Sequence, residues 1–329
     1  MNDSLILCSD AECRFVDADV QRLRTAGSLD VSPTYAVDEL ARRVREADIL
    51  VASCFAKIPE SVIAAGARLR GIVKYGVGVD NIDLAAAAAR GIPVANCPEY
   101  GSGTVADLAF ALLIALARKL SLIDAQFRRH GWFWPDEQFC GVDLEGKTIG
   151  LIGMGRIGRK MARRAAGFDM TLLACDPYVD RTVVEREGLA LQWLQLDELL
   201  AASDFVSVHC VLTPETQRLL GERELRLMRP TAYLIDVSRG AIIDEPALLR
   251  GLNEGWLAGA GLDVFADEPL AANHPLLGMP NVVVTPHLAW YTAEAAARQS
   301  HQAADAVLDL LAGRGPRSVV NGVAERVAK

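Results

Sequence analysis

The stretch that decides the fold of this 329-residue chain is Thr148-Ile-Gly-Leu-Ile-Gly-Met-Gly-Arg-Ile-Gly158. Its apolar run, Ile149 to Ile152, has the length of a buried parallel strand and leads into glycines spaced as Gly153-x-Gly155-x-x-Gly158. Apolar residues then recur at helical spacing, at Ile157, Met161, Ala165 and Phe168. Strand, glycine turn and helix in this order predict the start of a βαβ unit.

A second apolar run, Met170 to Ala174, ends just before Asp176, which lies 18 residues after Gly158. In this arrangement Gly153 allows a tight turn, Gly155 lets the backbone approach a pyrophosphate, and Gly158 lets helix and strand pack closely. The helix N-terminus offers free N–H groups and a positive dipole end. Because Asp176 can accept hydrogen bonds from an adenosine ribose, the segment predicts a dinucleotide site.

Composition bounds the remaining possibilities. The chain is 51% hydrophobic and 23% charged, which is typical of a well-packed globular protein long enough for two domains. It has 34 basic and 42 acidic side chains, a formal charge of −8, so we expect no nucleic-acid partner and no anionic-membrane partner. The Ala-rich run 106–117 is bracketed by charged residues and is interpreted as a buried helix.

Cysteine usage and the N-terminus indicate the compartment. The seven cysteines are scattered and include no CxxC pair, which favours reduced thiols in a cytoplasm over disulfides or zinc. No signal peptide is recognisable at the N-terminus. No pair of histidines has metal-ligand spacing, so we expect no metal site.

Strands and helices alternate along most of the chain, which predicts α/β architecture with parallel sheets. The predicted strands are 4–8, 48–53, 71–74, 92–95, 149–152, 170–174, 204–208, 232–236, 258–262 and 281–284. The predicted helices are 37–47, 60–66, 83–90, 102–120, 196–202, 222–228, 244–254 and 292–311. The first hundred residues therefore form a separate α/β unit ahead of the glycine turn.

That first unit contains another glycine turn, from Lys74 to Asn81, placed between a strand and a helix. Its N–H groups could hold a small anion such as a carboxylate. An ordinary strand-to-helix turn explains the spacing equally well. The aromatic segment 131–135 is predicted to be irregular, and packing, shielding of a site or contact with a partner subunit all remain open.

Three predicted strand ends in the second half carry polar residues: Arg239 in Asp-Val-Ser-Arg-Gly, Glu268 in a loop after another strand, and His287 at the end of a third. Ligand crevices of open parallel sheets lie beyond the carboxyl ends of the strands, so these side chains are expected to converge. Arginine binds carboxylates bidentately, histidine exchanges a proton near neutrality, and a carboxylate orients its ring. A surface ion pair and a capping histidine are the alternatives for each residue taken alone.

Together the motifs resemble the D-isomer-specific 2-hydroxyacid dehydrogenase family. The resemblance runs through most of the chain and is carried by Tyr75-Gly-Val-Gly-Val-Asp-Asn-Ile-Asp83, Gly153-Met-Gly-Arg-Ile-Gly158, Val237-Ser-Arg-Gly240, Gly261-Leu-Asp-Val-Phe265 with Glu268-Pro269, and Thr285-Pro-His287. Trp290 and the tail Gly313 to Asn321 are similar to the C-terminal-binding-protein branch of that family.

The resemblance implies two Rossmann-like domains with parallel sheets flanked by helices. Residues 1–100 and 292–329 would form a discontinuous substrate domain, and residues 101–291 would form the inserted NAD-binding domain. Homodimers are usual in the family, so we expect one here.

The resemblance also implies roles for individual residues. Arg239 would bind the substrate carboxylate and polarise its carbonyl, while His287, paired with Glu268, would pass the proton. Contacts to the substrate would come from Tyr75, from the backbone of Val77 and Gly78, and from Trp290. Contacts to NAD would come from Thr104, Gly153, Gly155, Arg156, Ile157, Gly158, Asp176, His209, Thr213, Pro214, Asp263 and Ala289. Residues expected to face the substrate side chain include Ser53, Cys54, Phe55, Tyr75, Trp290 and Trp134 of a neighbouring subunit.

The expected reaction is reduction of a 2-oxo acid to a D-2-hydroxy acid by NADH, with His287 as the acid. Asp176 would repel a 2′-phosphate, so NAD is expected rather than NADP. Two alternatives remain: an NAD(H)-sensing corepressor that binds peptides, as in eukaryotic members of the branch, and a short phosphoglycerate dehydrogenase. The absence of long flanking tails disfavours the first, and the absence of a regulatory domain after residue 329 disfavours the second.

Overall fold

The computed structural model describes residues 4–323, so the predicted domain ends at residues 1–3 and 324–329 lie outside the described residues. The chain divides into two compact units. Unit 1 comprises the residues up to Gly101 together with those from Tyr291 onward, and unit 2 comprises Ser102–Trp290. Within the described range, no helix is both long enough and apolar enough to cross a membrane.

Unit 1 contains a five-stranded sheet in which every neighbouring pair is parallel. Its strands are β1 (Leu5–Cys8), β2 (Ser28–Val31), β3 (Ile49–Ala52), β4 (Gly71–Lys74) and β5 (Val94–Ala95). Their spatial order is β2-β1-β3-β4-β5, the doubly wound order whose direction of winding reverses between β1 and β3. Strands β3 and β4 are buried along their whole length, because helices cover parallel sheets on both faces.

The helices of unit 1 connect these strands and return the chain at its end. They are α1 (Asp17–Ala26), α2 (Val37–Arg43), α3 (Glu60–Ala65), α4 (Leu84–Ala89) and, at the end of the chain, the helix Ala293–Leu311. The last of these packs closely on the sheet, since a side chain at Gly71 would meet Leu310. One face of the sheet buries an apolar core that includes Leu40, Ile63 and Ala87 from the connecting helices.

Unit 2 contains a seven-stranded parallel sheet. Its strands are β6 (Thr148–Ile152), β7 (Thr171–Cys175), β8 (Gln192–Trp193), β9 (Phe205–Val208), β10 (Tyr233–Asp236), β11 (Gly259–Leu262) and β12 (Val282–Val284). The order β12-β11-β10-β9-β6-β7-β8 places the reversal of winding between β6 and β9. This is the strand order of a dinucleotide-binding sheet with one added edge strand.

Helices cover both faces of this sheet. They are α5 (Ser102–Ala117), α6 (Leu120–His130), α7 (Arg156–Ala166), α8 (Arg181–Arg186), α9 (Leu196–Ala202), α10 (Glu222–Leu227) and α11 (Glu245–Glu254); the helix Ala293–Leu311 of unit 1 is α12. Alternate residues of β10 enter different cores, with Ile235 on the side of α5 and α7 and Leu234 on the side of α9 to α11. The predicted fold class, two Rossmann-like parallel-sheet α/β units flanked by helices, is thus confirmed.

Some predictions of local structure were wrong. The predicted helix 102–120 ends earlier, at Ala117, because Lys119 adopts a left-handed conformation with φ of 51° just before α6 begins. Phe168 does not continue the apolar face of α7: it lies beyond the end of that helix and packs against Phe110, with 4.8 Å between ring centroids and 60° between the ring planes. The elements α1, β2, α6, α8 and β8 had no counterpart in the prediction.

Candidate active site

The glycine turn joins β6 to α7 at the carboxyl end of the sheet. Gly153 has a φ of +94°, and a Cβ there would lie 2.6 Å from the backbone N of Cys210. A Cβ at Gly158 would collide with the carbonyl oxygen of Gly153. Gly155 differs, because a Cβ there would meet nothing within 4 Å. Two glycines are therefore required by the fold, while Gly155 borders open space suited to a ligand.

Asp176 follows β7 and holds the glycine turn in place. Its Oδ2 accepts a hydrogen bond from the N–H of Met154 at 2.7 Å, and its Oδ1 accepts from the N–H groups of Tyr178 and Val179 at 2.9 and 3.0 Å. Three backbone donors thus fix the orientation of the carboxylate. A carboxylate oxygen has further lone-pair capacity, so Asp176 can still accept hydrogen bonds from a ribose.

His209 follows β9 on the other side of the reversal point. Its Nε2 is 2.9 Å from Ser207 Oγ, whereas its Nδ1 is buried and has no hydrogen-bond partner among residues 4–323. Desolvation lowers the pKa of His209 to about 3, so the ring is neutral at physiological pH. A neutral imidazole with an unpartnered nitrogen, beside an open glycine turn, fits a bound dinucleotide.

The other residues predicted to contact the cofactor lie in unit 2 around this edge. Arg156 and Ile157 are the first two residues of α7, and Thr104 is buried in the first turn of α5. Thr213 and Pro214 lie in the loop after β9, where the N–H of Thr213 donates to Thr216 Oγ1 at 2.7 Å. The contacts of these residues with a cofactor therefore stay predictions.

Arg239 lies three residues past the end of β10, and its Nη1 donates to the carbonyl of Ser238 at 2.8 Å. The next residue, Gly240, packs so closely that a Cβ there would overlap the backbone of Phe265. The segments that follow β10 and β11 are therefore in direct backbone contact. A larger residue at position 240 would separate Arg239 from the loop that carries Glu268.

Glu268 and His287 form a hydrogen-bonded pair. The distance from His287 Nδ1 to Glu268 Oε2 is 2.6 Å, and the N–H of Phe265 donates to Glu268 Oε1 at 3.0 Å. Desolvation raises the pKa of Glu268, but the hydrogen bond and charge of His287 outweigh it, so the net shift is downward. An ionised Glu268 can accept a hydrogen bond from Nδ1 and so orient the ring, with Nε2 directed away from the pair.

Asp263 anchors the turn that presents His287. It is fully buried and accepts hydrogen bonds from Thr285 Oγ1 at 2.5 Å, from the N–H of Leu288 at 2.8 Å and from the N–H of Ala289 at 2.8 Å. His287 has a φ of +55°, a left-handed conformation uncommon for a residue with a Cβ. Asp263 thus stabilises a strained backbone next to the histidine, and burial raises its own pKa.

Asp236, at the end of β10, is a second fully buried carboxyl group. Its Oδ1 accepts hydrogen bonds from the N–H and Oγ of Ser238 at 2.8 and 2.5 Å, while its Oδ2 has no partner among residues 4–323. Burial raises the pKa of Asp236 to about 7, against the lowering effect of Ser238 and Arg239. Sequence reasoning missed Asp236; its only signal was an acidic residue at the end of an apolar run.

In unit 1, the predicted substrate-binding turn follows β4. Tyr75 is buried and its hydroxyl donates to the carbonyl of Arg14 at 2.6 Å. Val77 is exposed, and no described residue accepts a hydrogen bond from the N–H of Val77 or Gly78. The turn therefore offers two backbone donors. Trp290, the remaining predicted substrate contact, is half-buried at the end of unit 2.

The structure brings Arg239, Glu268 and His287 to the carboxyl ends of β10, β11 and β12, three adjacent strands of one sheet. The sequence predicted this edge, but it did not predict the anchoring role of Asp263, which was expected near a nicotinamide. Ser207 was also missed, because a serine within an apolar strand gives no sign that it bonds a histidine two residues later.

Known proteins resemble the chain in sequence and in fold. Residues 110–289 match the family model described as D-isomer specific 2-hydroxyacid dehydrogenase, NAD binding domain. A glyoxylate reductase of Korarchaeum cryptofilum is 42% identical over 284 residues, which cover 86% of this chain and 85% of that protein.

Two solved structures show the same architecture with ligands. A D-lactate dehydrogenase of Aquifex aeolicus complexed with NAD and lactic acid has a TM-score of 0.86 at 29% identity and covers 97% of this chain and 99% of that one. An NADPH-dependent glyoxylate/hydroxypyruvate reductase of Sinorhizobium meliloti, in complex with NADP and malonate, has a TM-score of 0.84 at 28% identity, with 98% coverage of both chains.

Proposed function

We propose that Arg239, Glu268 and His287 are the catalytic residues of this chain, which belongs to the D-isomer-specific 2-hydroxyacid dehydrogenase family. Enzymes of this family use a nicotinamide cofactor to interconvert 2-oxo acids and 2-hydroxy acids. The observation that carries this proposal is the 2.6 Å hydrogen bond between His287 and Glu268, on the same sheet edge as Arg239. The reaction converts a 2-oxo acid, a reduced nicotinamide and a proton into a D-2-hydroxy acid and the oxidised nicotinamide.

Each residue has a distinct task in the proposed mechanism. Reduced nicotinamide, when bound, supplies the hydride that reaches the carbonyl carbon. Arg239 binds the substrate carboxylate and stabilises the negative charge that develops on the carbonyl oxygen. His287, protonated and held through Nδ1 by Glu268, gives the proton on Nε2 to that oxygen. Glu268 stays ionised throughout, consistent with its lowered pKa.

The substrate contacts of unit 1 belong to the same proposal. The N–H groups of Val77 and Gly78 would bind the substrate carboxylate, with Tyr75 beneath the turn as a buried support. In unit 2, Trp290 would shape the substrate side-chain site. Backbone N–H groups that point out of a turn are suited to binding an anion, and this supports the proposed role of Val77 and Gly78.

We propose NAD rather than NADP as the cofactor, because a carboxylate at Asp176 would repel a 2′-phosphate. Three backbone N–H groups hold the Asp176 carboxylate in the position from which it would repel that phosphate. The proposal predicts a higher kcat/KM for NADH than for NADPH. An Asp176→Ser variant should narrow that difference, and equal use of both cofactors by the unchanged protein would contradict it.

We also propose a cytoplasmic homodimer. All seven cysteines lie within the described residues and no disulfide joins any two of them, as expected in a reducing compartment. Helix α6 has no buried residue, and Phe127, Trp132 and Trp134 are exposed on it and just after it. An apolar surface of this kind, on a helix with no buried side chain in unit 2, supports association with a second copy.

The test of the catalytic proposal uses a matched pair of histidines in unit 2. His274 is also bonded to a carboxylate, Glu245, at 3.1 Å, but it lies outside the proposed catalytic group. Replacing His287 by Ala should lower kcat by about 10² to 10⁴ and leave the Kd for NADH unchanged, because general acid catalysis contributes that much. His274→Ala should stay within about 3-fold of the unchanged protein.

The assay follows NADH oxidation with glyoxylate, hydroxypyruvate, pyruvate and larger 2-oxo acids, and includes 3-phosphoglycerate with NAD in the reverse direction. Unchanged turnover in His287→Ala, or an equal loss in His274→Ala, would remove His287 from the mechanism. Oxidation of 3-phosphoglycerate as the best reaction would instead favour the phosphoglycerate dehydrogenase alternative.

A further inference from the structure

The peptide groups that carry the two proposed carboxylate donors are held by hydrogen bonds on their opposite side. The N–H of Cys97 donates to the carbonyl of Gly76 at 2.9 Å, and Nδ2 of Asn96 donates to the carbonyl of Val77 at 2.8 Å. These carbonyls belong to the same peptide units as the N–H groups of Val77 and Gly78. Because C=O and N–H point in opposite directions across a planar trans peptide, bonding the carbonyls fixes the direction of both N–H groups.

The two holding bonds differ in how much they depend on the sequence. Cys97 uses its backbone N–H, a donor that any residue except proline supplies at that position. Asn96, which directly follows β5 and is half-buried, uses its side chain. The direction of the Gly78 N–H therefore depends on the identity of residue 96, and a single substitution there can release it.

The amide group of Asn96 is oriented by a serine from the segment that follows α12. Ser318 Oγ donates to Asn96 Oδ1 at 2.5 Å. The carbonyl of Val77 can only accept a hydrogen bond, so Nδ2 of Asn96 must face it, and Oδ1 then faces the hydroxyl of Ser318. Both ends of the amide thus have a partner, and the hydroxyl keeps Nδ2 directed at Val77.

The segment that carries this serine is itself paired with β5. Val319 forms an antiparallel bridge with Ala95, and the N–H of Asn96 donates to the carbonyl of Ser318 at 3.2 Å. Asn321 binds the backbone at and before β5 through both atoms of its amide group, at 3.1 and 2.8 Å. The hydroxyl of Ser318 is therefore held beside Asn96 by backbone pairing, and little ordering is needed for it to reach the amide.

We propose that Asn96 and Ser318 are positioning residues of the substrate carboxylate site: Ser318 orients the amide of Asn96, and Asn96 directs the N–H of Gly78 at the carboxylate. The inference rests on the proposed function, since it takes Val77 and Gly78 as the carboxylate site. A donor that is fixed before binding needs no ordering when the carboxylate arrives, so releasing it weakens substrate binding. The carboxylate is bound alike before and during hydride transfer, so the effect falls on KM and not on kcat.

The test measures kcat and KM for the best 2-oxo acid substrate, and the Ki of oxamate, an unreactive anion of similar shape. Asn96→Ala should raise KM and Ki together by about 10-fold, because one hydrogen bond to a charged group contributes that much. Its kcat should stay within about 3-fold of the unchanged protein. Ser318→Ala keeps Asn96 and should raise both values by about 3-fold or more. Ser318→Thr should restore them, because threonine keeps the hydroxyl.

Thr25→Ala is the matched control, because the hydroxyl of Thr25 in α1 also donates to an oxygen of unit 1, the carbonyl of Arg22 at 2.6 Å, and its loss should leave all three values unchanged. Thermal unfolding followed by circular dichroism checks that each variant folds; if Asn96→Ala does not fold, the two Ser318 variants decide alone. A lower unfolding temperature and a lower kcat at unchanged KM and Ki would show a merely structural role. That result, together with loss of turnover in His287→Ala, would overturn the inference and leave the proposed function standing. Failure of every 2-oxo acid with both NADH and NADPH would overturn the two together.

Discussion

Replacing Asp236 by Asn should stabilise the protein relative to the unchanged chain by an amount that grows as the pH rises from about 4 to about 7 and stays constant above that. Asp236 is fully buried, Ser238 satisfies its Oδ1, and its Oδ2 has no partner among residues 4–323. Asparagine keeps the acceptor for Ser238 and carries no charge. The substitution therefore removes the ionisation of a buried group with little change in shape.

The magnitude follows from the two pKa values of Asp236. Burial raises the folded-state value to about 7, against about 3.9 in an unfolded chain. Between these values the folded protein holds a proton that the unfolded chain has released, so raising the pH lowers the free energy of unfolding by about 1.4 kcal/mol per unit. Above the folded pKa the full cost, about 4 kcal/mol, is present. Asparagine has no such dependence, so the advantage of the variant should grow by about 3 kcal/mol between pH 5 and pH 8.5, nearly all of it below pH 7.

Urea unfolding followed by tryptophan fluorescence measures the free energy of unfolding of unit 2, which contains Asp236. All five tryptophans of the chain lie in unit 2: Trp132, Trp134, Trp193, Trp256 and Trp290. Any fixed effect of the substitution on hydrogen bonding cancels when the two pH values are compared. Asp267→Asn, at an exposed aspartate of the same unit, controls for the loss of one negative charge. A difference that stays constant or shrinks with rising pH would show that Asp236 is ionised throughout, and the reasoning from burial would be wrong.

Two further predictions concern the glycine turn and the exposed face of α6. Gly158→Ala should destabilise unit 2 by about 1 to 3 kcal/mol in urea unfolding, because its Cβ meets the carbonyl of Gly153. Gly155→Ala should leave urea unfolding unchanged and weaken NADH binding by about 10-fold or more. An NADH affinity in Gly155→Ala equal to that of the unchanged protein would contradict the proposal that the cofactor lies against Gly155. Phe127→Glu should convert a dimer to a monomer in sedimentation velocity, while Leu277→Glu, a similarly exposed control, should not; a dimer that persists in Phe127→Glu would place the interface elsewhere.

The buried strands were predictable because parallel strands covered on both faces are continuous apolar runs. Strand β3 is entirely apolar, and it was predicted within one residue at each end. Strand β2 was missed for the opposite reason: it is an edge strand, Ser28–Val31, with no fully buried residue and no apolar run. Helix α6 was missed because it packs no buried face in unit 2, so its pattern lacks the clear stripe that marks α7.

The candidate site was predictable to the level of strand ends and no further. Placing Arg239, Glu268 and His287 at one edge required only the rule that carboxyl ends of parallel strands meet there. The role of Asp263 was beyond the sequence, because it depends on the direction of two backbone N–H groups and on the left-handed φ of His287. Such geometry is decided by packing around the turn, as in the contact of Gly240 with Phe265.

The buried side-chain atoms that lack hydrogen-bond partners give an independent argument for where ligands bind. Among residues 4–323 there are three such atoms: His209 Nδ1, Asp236 Oδ2 and Gln299 Oε1. Leaving a buried polar group unpaired costs about 1 to 3 kcal/mol, so they are expected where something other than stability is required. His209 directly follows β9, and Asp236 is the last residue of the adjacent strand β10, at the sheet edge that carries Arg239. Gln299, on α12, packs beside Gly76, and Gly76 belongs to the turn proposed to bind the substrate carboxylate. All three lie next to turns that the sequence assigned to cofactor or substrate, and one of the three residues, His209, was itself a predicted contact to NAD.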